Sequence, residues 1–222
     1  SGAFDAIYGS PGGNWILHAN TDAASTTEEV LLSSGTLLLR EGSPAPWAAT
    51  ETVGNFELRM AINDQGDVAF SNNTRDGSST SDEYIVKFTT LGGGLYAAMA
   101  QEGQPFTPVA GATVGTTLQN AIMLEDGTVG YQANHVNGGG LHGGNDDFIV
   151  MGHTALVQNT VTAPIAQMTG GSFQYFELQF LDEGTYWMNA TGTSWLFQAE
   201  LNDPDQDINE VVALSLIHIS EP

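Results

Sequence analysis

The amino-acid sequence predicts an all-β protein of four repeats, each with about four antiparallel strands. Four segments of the chain share one template, in which a turn ending in glycine is followed by alternating apolar and polar residues. Such alternation is typical of strands with one buried and one exposed face. No stretch shows the sustained spacing of apolar residues that indicates a helix. Four-stranded units that recur every ~40–60 residues are typical of propeller blades, so we expect a β-propeller or a propeller-like stack of blades.

The template strand follows its glycine turn closely in every repeat. The turn glycines are Gly13, Gly66, Gly127 and Gly184. The first apolar residue of the strand recurs at spacings of 53, 61 and 57 residues, as Trp15, Val68, Val129 and Tyr186. A further strand precedes the turn, as in residues 56–62 of the second repeat. This regularity indicates that one supersecondary unit has been repeated along the chain.

Two more short apolar runs complete each repeat. The first runs span residues 28–33, 82–88, 146–152 and 193–199, and the second runs span 36–40, 95–100, 154–158 and 210–216. Gly-rich or polar turns separate them, as hairpin connections require. We therefore expect one domain over residues 1–222, with repeats at 1–53, 54–114, 115–170 and 171–217. A duplicated β-sandwich is the alternative architecture.

The charge of the chain excludes several functions. It has 26 acidic and 4 basic residues, which gives a formal net charge of −22. The four bases are scattered, so no basic patch neutralises phosphates, and nucleic acid is excluded as a partner. No apolar stretch approaches the ~20 residues of a membrane-spanning helix, so membrane insertion is not expected. Because the chain has no cysteine, disulfides, thiolate metal sites and cysteine catalysis are excluded as well.

So acidic a surface repels itself and requires counter-ions or divalent cations. Two settings supply them: calcium-containing water outside the cell, and the cytosol of a salt-accumulating organism. The content of Gly, Ser, Thr and Asn favours the first setting. We therefore expect a secreted or cell-surface protein.

One segment of the second repeat carries a motif of a known family. Residues 63–70 read Asn-Asp-Gln-Gly-Asp-Val-Ala-Phe, which resembles the NxxGxxAF tandem repeat of bacterial secreted and surface-anchored proteins of the planctomycete and marine type. Residues 38–46 and 99–105 resemble a second motif of these proteins, LxxxAxxGDPAPG. The other repeats keep the turn glycine and depart from the motif elsewhere. The resemblance implies a secreted β-repeat protein and implies no catalytic activity.

The last residues, 214–222, differ from the rest of the chain. They read Leu-Ser-Leu-Ile-His-Ile-Ser-Glu-Pro, which resembles the translated read-through of a sequencing adapter at the end of an environmental gene fragment. On that interpretation the natural chain is longer and holds further repeats. The alternative is a genuine final strand over 211–219, which is apolar enough to pack.

An acidic loop in the fourth repeat is a candidate calcium site. Oxygen-bearing side chains stand at alternate positions there, and a curled loop with this pattern can surround Ca²⁺. The candidate ligands are Asp203, Asp205, Asp207, Asn209 and Glu210. The loop is not an EF-hand, because Ile208 and Leu214 stand where that motif has Gly and Glu. The alternative is a solvated hairpin tip.

A glycine-rich loop in the third repeat is a second candidate metal site. Its candidate ligands are His135, His142 and Asp146. Two imidazoles and a carboxylate suit a divalent metal, and a metal-dependent hydrolase would use them together. Their spacing matches no established ligand pattern, so the alternative is a solvated loop that contains histidines.

Three repeats carry a pair of acidic residues where their third strand begins. These pairs lie at residues 28–29, 82–83 and 146–147. In a propeller the pairs would share one face and form a ring of negative charge that gathers cations. The alternative is that the carboxylates cap the strands and keep their edges soluble.

Two aromatic residues in equivalent loops, Trp47 and Phe106, are candidate ligand-binding residues. Sugar faces stack on aromatic rings, so these loops could bind extracellular glycans. They could equally be hydrophobic plugs that seal one repeat against the next.

The pattern as a whole favours a secreted, non-catalytic β-repeat protein that acts in surface adhesion, extracellular matrix or filament-like self-assembly, with calcium as its cation. The sequence has no GxSxG elbow, phosphate-binding P-loop or dinucleotide fingerprint, and it favours no enzyme class. The alternative is a carbohydrate-active or carbohydrate-binding β-propeller, which would be a lyase, a glycosidase or a lectin. A glycosidase needs only two suitably separated carboxylates, and a chain this acidic always offers candidates.

Overall fold

A computed structural model of the chain describes residues 4–142 and 145–158, together with the backbone of four further strands at 173–175, 186–188, 194–201 and 210–216. The described residues form strands, turns and loops, which confirms the predicted all-β class. They include no helix long and apolar enough to cross a membrane.

The first three repeats each form a four-stranded antiparallel sheet in which neighbours in sequence are neighbours in space. Sheet 1 consists of β1 (Phe4–Gly9), β2 (Trp15–Asn20), β3 (Glu29–Ser33) and β4 (Thr36–Arg40). Sheet 2 consists of β5 (Phe56–Ile62), β6 (Val68–Asn73), β7 (Glu83–Thr89) and β8 (Leu95–Gln101). Sheet 3 consists of β10 (Thr117–Met123), β11 (Val129–Asn134), β13 (Phe148–Met151) and β14 (Thr154–Gln158).

The fourth sheet has the same number of described strands in a different order. Its strands are β15 (Phe173–Tyr175), β16 (Tyr186–Met188), β17 (Ser194–Leu201) and β18 (Glu210–Leu216). Both β15 and β16 pair with β17, at opposite ends of that strand, while β18 pairs with β17 along its length. The predicted repetition of four-stranded units is therefore confirmed, although the meander of the first three sheets is not copied here.

Sheets 1, 2 and 3 pack face to face in succession, through the first strands of sheets 2 and 3. Strand β5 packs on β1 and β2, and β10 packs on β5, β6 and β7. Successive side chains of a strand point to opposite faces of its sheet, so one strand contributes residues to two hydrophobic cores. Phe70 of β6 belongs to the core between sheets 1 and 2, and its neighbour Ala69 belongs to the core between sheets 2 and 3.

The linkers between repeats also pair with the sheet that follows. Strand β9 (Ala112–Thr113) lies in the second linker and pairs with β12 (Asn137–Gly138), which follows β11. In the first linker, Thr52 forms the equivalent bridge to Arg75, just after β6. Each linker thus fastens its own repeat to the next one.

Candidate functional site at the joints between sheets

The glycine turns of the three described repeats form a ladder that connects the sheets. Each turn ends in a glycine at positive φ: 90° at Gly13, 83° at Gly66 and 82° at Gly127. The Asp64 carboxylate accepts a hydrogen bond from the Gly12 N–H at 2.5 Å. The Glu125 carboxylate in turn accepts one from the Asp64 N–H at 3.0 Å. The acid at the second position of the second and third turns therefore caps the turn of the preceding repeat.

Asn63, the first residue of the second turn, holds the middle of this ladder. Its side chain is buried, and its amide group donates to the Leu124 carbonyl oxygen at 3.1 Å. Its Oδ1 accepts from the Asp67 N–H at 2.9 Å, which closes the turn. The asparagine and the glycine of the Asn-x-x-Gly motif therefore have different tasks: one connects two sheets, and the other permits the turn.

The second acid of two acidic pairs forms another joint between sheets. Glu29 Oε2 accepts from the Phe56 N–H at 2.8 Å, and Glu83 Oε2 accepts from the Leu118 N–H at 2.8 Å. In both cases the acceptor lies at the start of the third strand of one repeat, and the donor lies at the start of the first strand of the next. In the third pair, Asp147 Oδ1 accepts from the His135 N–H within its own repeat at 3.0 Å. This geometry favours the capping interpretation of these acids.

His18 adds a buried side chain to the first of these joints. It is 4% exposed, and its Nε2 lies 3.3 Å from Glu29 Oε2 and 3.9 Å from Asp5 Oδ2. Burial acts to raise the pKa of Glu29, but the neighbouring His18 and the hydrogen bond from the Phe56 N–H lower it, and the net shift is downward. Glu29 is therefore held as a carboxylate at this joint.

Two buried glutamates occupy equivalent positions after the fourth strands. Glu41 is 1% exposed and Glu102 is 4% exposed. Glu41 Oε2 accepts from the N–H groups of Glu28 and Glu29 at 3.1 and 3.3 Å, and Oε1 forms an ion pair with Arg75. The glutamate of one repeat is thus paired with a cation from the next.

Glu102 has an acidic partner instead. Burial and a hydrogen bond with the Asp82 carboxyl group raise the pKa of Glu102, although N–H groups of Asp82 and Glu83 oppose the shift. The position of Arg75 is taken by Asn137 here, because Thr52 bridges Arg75 and Thr113 bridges Asn137. The second joint therefore lacks the cation that neutralises the first.

The structure places Trp47 and Phe106 in the cores between sheets. The Trp47 ring is partly buried, and its centroid lies 5.7 Å from that of Phe70 and 6.0 Å from that of Tyr96. Phe106 is 2% exposed, with its ring centroid 4.8 Å from that of Phe148. Phe106 therefore offers no ring face to a sugar, and both residues have the geometry of the plug alternative.

The histidine loop brings two of its three candidate ligands together. His135 Nδ1 lies 3.9 Å from Asp146 Oδ2, with the His135 side chain 61% exposed. The backbone N–H of His142 donates to Asn145 Oδ1 at 2.8 Å. Among the described residues, no three His, Cys, Asp or Glu side chains are arranged to hold a metal ion. The candidate calcium ligands Asp203, Asp205, Asp207 and Asn209 lie outside the described residues, and Glu210 is described only as the backbone start of β18.

A cleft of about 200 Å³ lies at the outer side of the interface between sheets 2 and 3. Met99, Val114 and Tyr131 contribute apolar surface to it, and Thr107 and His153 lie at its rim. The sequence did not predict this cleft. The cleft exists because a linker residue leaves space unfilled between the two sheets, and no local pattern indicates such a space. Nor did the sequence predict Glu41 and Glu102 as joints, although both share the signal Glu-Gly-x-Pro at the end of a repeat.

Comparisons with known proteins identify a family. No curated protein and no solved structure matches the chain. The model of a family of unknown function, DUF7453, matches residues 18–214, which include most of all four repeats. The chain therefore belongs to the DUF7453 family.

Proposed function

We propose that this protein is a secreted, non-catalytic β-repeat protein that acts through its surface, in adhesion, extracellular matrix or self-assembly. Its sheets would be the blades of a propeller or a propeller-like stack, since sheet 2 packs face to face on sheet 1 and sheet 3 packs on sheet 2. The carboxylates at the joints support a structural role, because Glu29, Glu41 and Glu83 use their oxygens to connect neighbouring repeats.

An exposed apolar row on sheet 1 is the observation that carries the proposal. Ile7, Leu17, Leu32 and Leu37 lie side by side across the four strands. Ile7 is 66% exposed and Leu37 is 56% exposed.

Three of the four residues in the equivalent row of sheet 2 are covered by the preceding sheet. The row consists of Met60, Phe70, Val86 and Ala98, of which Ala98 is exposed. Met60, Phe70 and Val86 are buried in the core that sheet 2 forms with sheet 1. Sheet 1 therefore presents the kind of face that elsewhere in this chain receives another sheet, and a second molecule is its proposed occupant.

Calcium is the cation that we propose for this assembly. A net charge of −22 opposes the approach of two copies, and divalent cations would reduce the repulsion. The acidic loop with Asp203, Asp205 and Asp207 is the proposed binding segment.

The test is the absolute mass in solution by light scattering, with calcium and with chelator. The double variant Ile7→Glu/Leu37→Glu places charge in the row at positions exposed enough to tolerate it. We expect the wild type to assemble and the double variant to remain at the 23.4 kDa of one chain. The matched control is Leu91→Glu/Leu95→Glu, since those leucines are 73% and 64% exposed and lie outside the row.

Three outcomes separate the parts of the proposal. Assembly of the wild type and the control, but not of the row variant, supports an interface at sheet 1. Assembly of all three proteins would refute that interface, and a wild-type monomer under both conditions would refute self-assembly. Loss of assembly on chelation supports calcium as the bridging ion, and indifference to chelation argues against it.

The carbohydrate-active alternative requires ring faces or paired carboxylates that open into a cleft. In the described part of the chain, Phe106 is buried and Trp47 packs on Phe70 and Tyr96. We therefore prefer the non-catalytic proposal.

A further inference from the structure

The two described linkers have the same backbone conformation but different side chains. Ala45 N–H donates to the Glu51 carbonyl oxygen at 2.9 Å, and Phe106 N–H donates to that of Ala112 at 2.8 Å. The hydrogen bond from the Ala48 N–H to the Ala45 carbonyl oxygen recurs between Val109 and Phe106. The one from the Gly42 N–H to the Val53 carbonyl oxygen recurs between Gly103 and Val114. Each residue of the second linker lies 61 positions after its counterpart in the first linker, so the counterpart of Trp47 is Pro108.

The residues around Trp47 also have counterparts in the next interface. Strand pairing places Tyr131 in sheet 3 where Phe70 lies in sheet 2. Met99 corresponds to Leu38, since both are the extra residue at a bulge in an outer strand. His153 corresponds to Tyr96, because each stands two residues before the residue that pairs just ahead of the bulge, Ala155 in β14 and Ala98 in β8.

An indole ring fills the first interface, and no equivalent ring fills the second. Trp47 lies within 6.4 Å, between ring centroids, of Phe70, Tyr84 and Tyr96. In the second interface the aromatic side chain stands two positions earlier, at Phe106, and packs inward on Phe148. Pro108 supplies no ring, and the cleft of about 200 Å³ is lined by Tyr131 and His153. These two residues are the counterparts of Phe70 and Tyr96, whose rings contact Trp47 in the first interface.

We propose that this cleft binds a planar aromatic ring of indole size. Met99 lines the cleft with its thioether and the exposed His153 ring stands beside it, whereas Tyr131 is 4% exposed and contributes only the small accessible part of its ring. Thioethers and aromatic rings both make favourable contacts with a bound ring. Gln104, Thr107 and His153 at the rim supply polar groups that can orient a substituent. The net charge of −22 disfavours an anionic ligand, so the ring carries a neutral or cationic substituent.

The experiment titrates isotope-labelled protein with N-acetyl-L-tryptophanamide and follows the Met99 methyl signal by NMR. We expect saturable shifts at one site, with tighter binding of tryptamine and weaker binding of indole-3-acetate. The variant Pro108→Trp supplies the missing ring from the chain itself, as Trp47 does in the first interface. We expect it to weaken binding by at least about tenfold.

The matched control is Pro46→Trp, which introduces the same residue at an exposed position of the other linker and should bind as the wild type does. If Pro108→Trp does not fold, Thr107→Trp at the exposed rim serves as the blocking variant. The proposal is overturned if the amide causes no saturable shift up to its solubility limit, or if both blocking variants bind it as tightly as the wild type.

Discussion

At the scale of single residues, Glu41 and Glu102 show how one position can have opposite electrostatics in two repeats. Both side chains are buried and both accept N–H groups from the start of a third strand. Arg75 neutralises the first, whereas Asp82 shares a hydrogen bond with the second. A carboxyl group in the second environment binds its proton more tightly in the folded state than in the unfolded state.

We predict that Glu102→Gln stabilises the protein at pH 7 by about 1 kcal/mol, which is a rise in Tm of about 2–4 °C for a domain of this size. Because the pKa of Glu102 is raised on folding, its favourable contribution is present below the unfolded pKa and is lost as pH rises through the folded pKa. Glutamine resembles the protonated form, so the gain should vanish in acid. Calorimetric melting from pH 3 to pH 8 measures this difference.

The control is Glu41→Gln at the equivalent position. It removes the carboxylate that pairs with Arg75, and we expect a loss of about 1–3 kcal/mol at pH 7. A loss of similar size in both variants would contradict the assignment of opposite environments.

Residue-scale features were the hardest to predict from sequence. The acidic pairs could be identified in the sequence, and Glu29 and Glu83 accept backbone N–H groups as the capping alternative expects. The partners Phe56 and Leu118 lie 27 and 35 residues away, and local patterns carry no information about such distances. The shared Glu-Gly-x-Pro signal aligns Trp47 with Pro108, but it does not indicate that the two interfaces pack differently.

At the scale of elements, the strands agree well with the apolar runs. The run at 154–158 coincides with β14, and the run at 95–100 differs from β8 by one residue. Alternation and glycine turns are local signals, and they determine strands directly. The short strands β9 and β12 could not be predicted, because two residues are too few for any periodicity.

The outer strands share a β-bulge that the alternation of apolar and polar residues does not reveal. Strands β4, β8 and β14 lie at the edges of their sheets, and each has a register shift opposite the same part of its neighbour. The extra residues are Leu38, Met99 and Leu156. A bulge twists an edge away from regular pairing, which protects β8 although that strand has no charged residue.

Glycines at the linkers permit a close approach between elements that a side chain would block. A Cβ atom at Gly54 would overlap the Asn73 carbonyl oxygen, and one at Gly115 would overlap that of His135. We predict that Gly54→Ala and Gly115→Ala each cost more than about 3 kcal/mol, since backbone atoms cannot move aside. Urea unfolding followed by tryptophan fluorescence measures the loss.

The matched control is Gly13→Ala in the first turn. Nothing lies within 4 Å of its added Cβ, so only the positive φ of 90° opposes it. We expect a cost of about 1 kcal/mol there. An equal cost at Gly13 and Gly54 would contradict the view that linker contact, rather than backbone conformation, selects glycine at residue 54.

At the scale of the whole molecule, the first and second repeats each depend on the next one for both core and capping groups. The turn ladder, the glutamate caps and the linker bridges all run between consecutive repeats. Hydrophobic clusters likewise form between sheets rather than within one. An isolated repeat would expose two apolar faces, so the repeats are expected to unfold together rather than one by one.

Such cooperative packing must tolerate a net charge of −22. We predict that the melting temperature of the monomeric row variant, Ile7→Glu/Leu37→Glu, rises with sodium chloride. Added salt shortens the screening length from ~30 Å at 0.01 M to ~3 Å at 1 M, which weakens repulsion across the whole surface.

Melting curves at constant ionic strength, with calcium replacing part of the sodium, separate screening from binding. A further rise with calcium indicates a specific site, whereas equal curves indicate screening alone. A melting temperature independent of sodium chloride would show that the acidic side chains lie too far apart, or are too well solvated, to oppose folding.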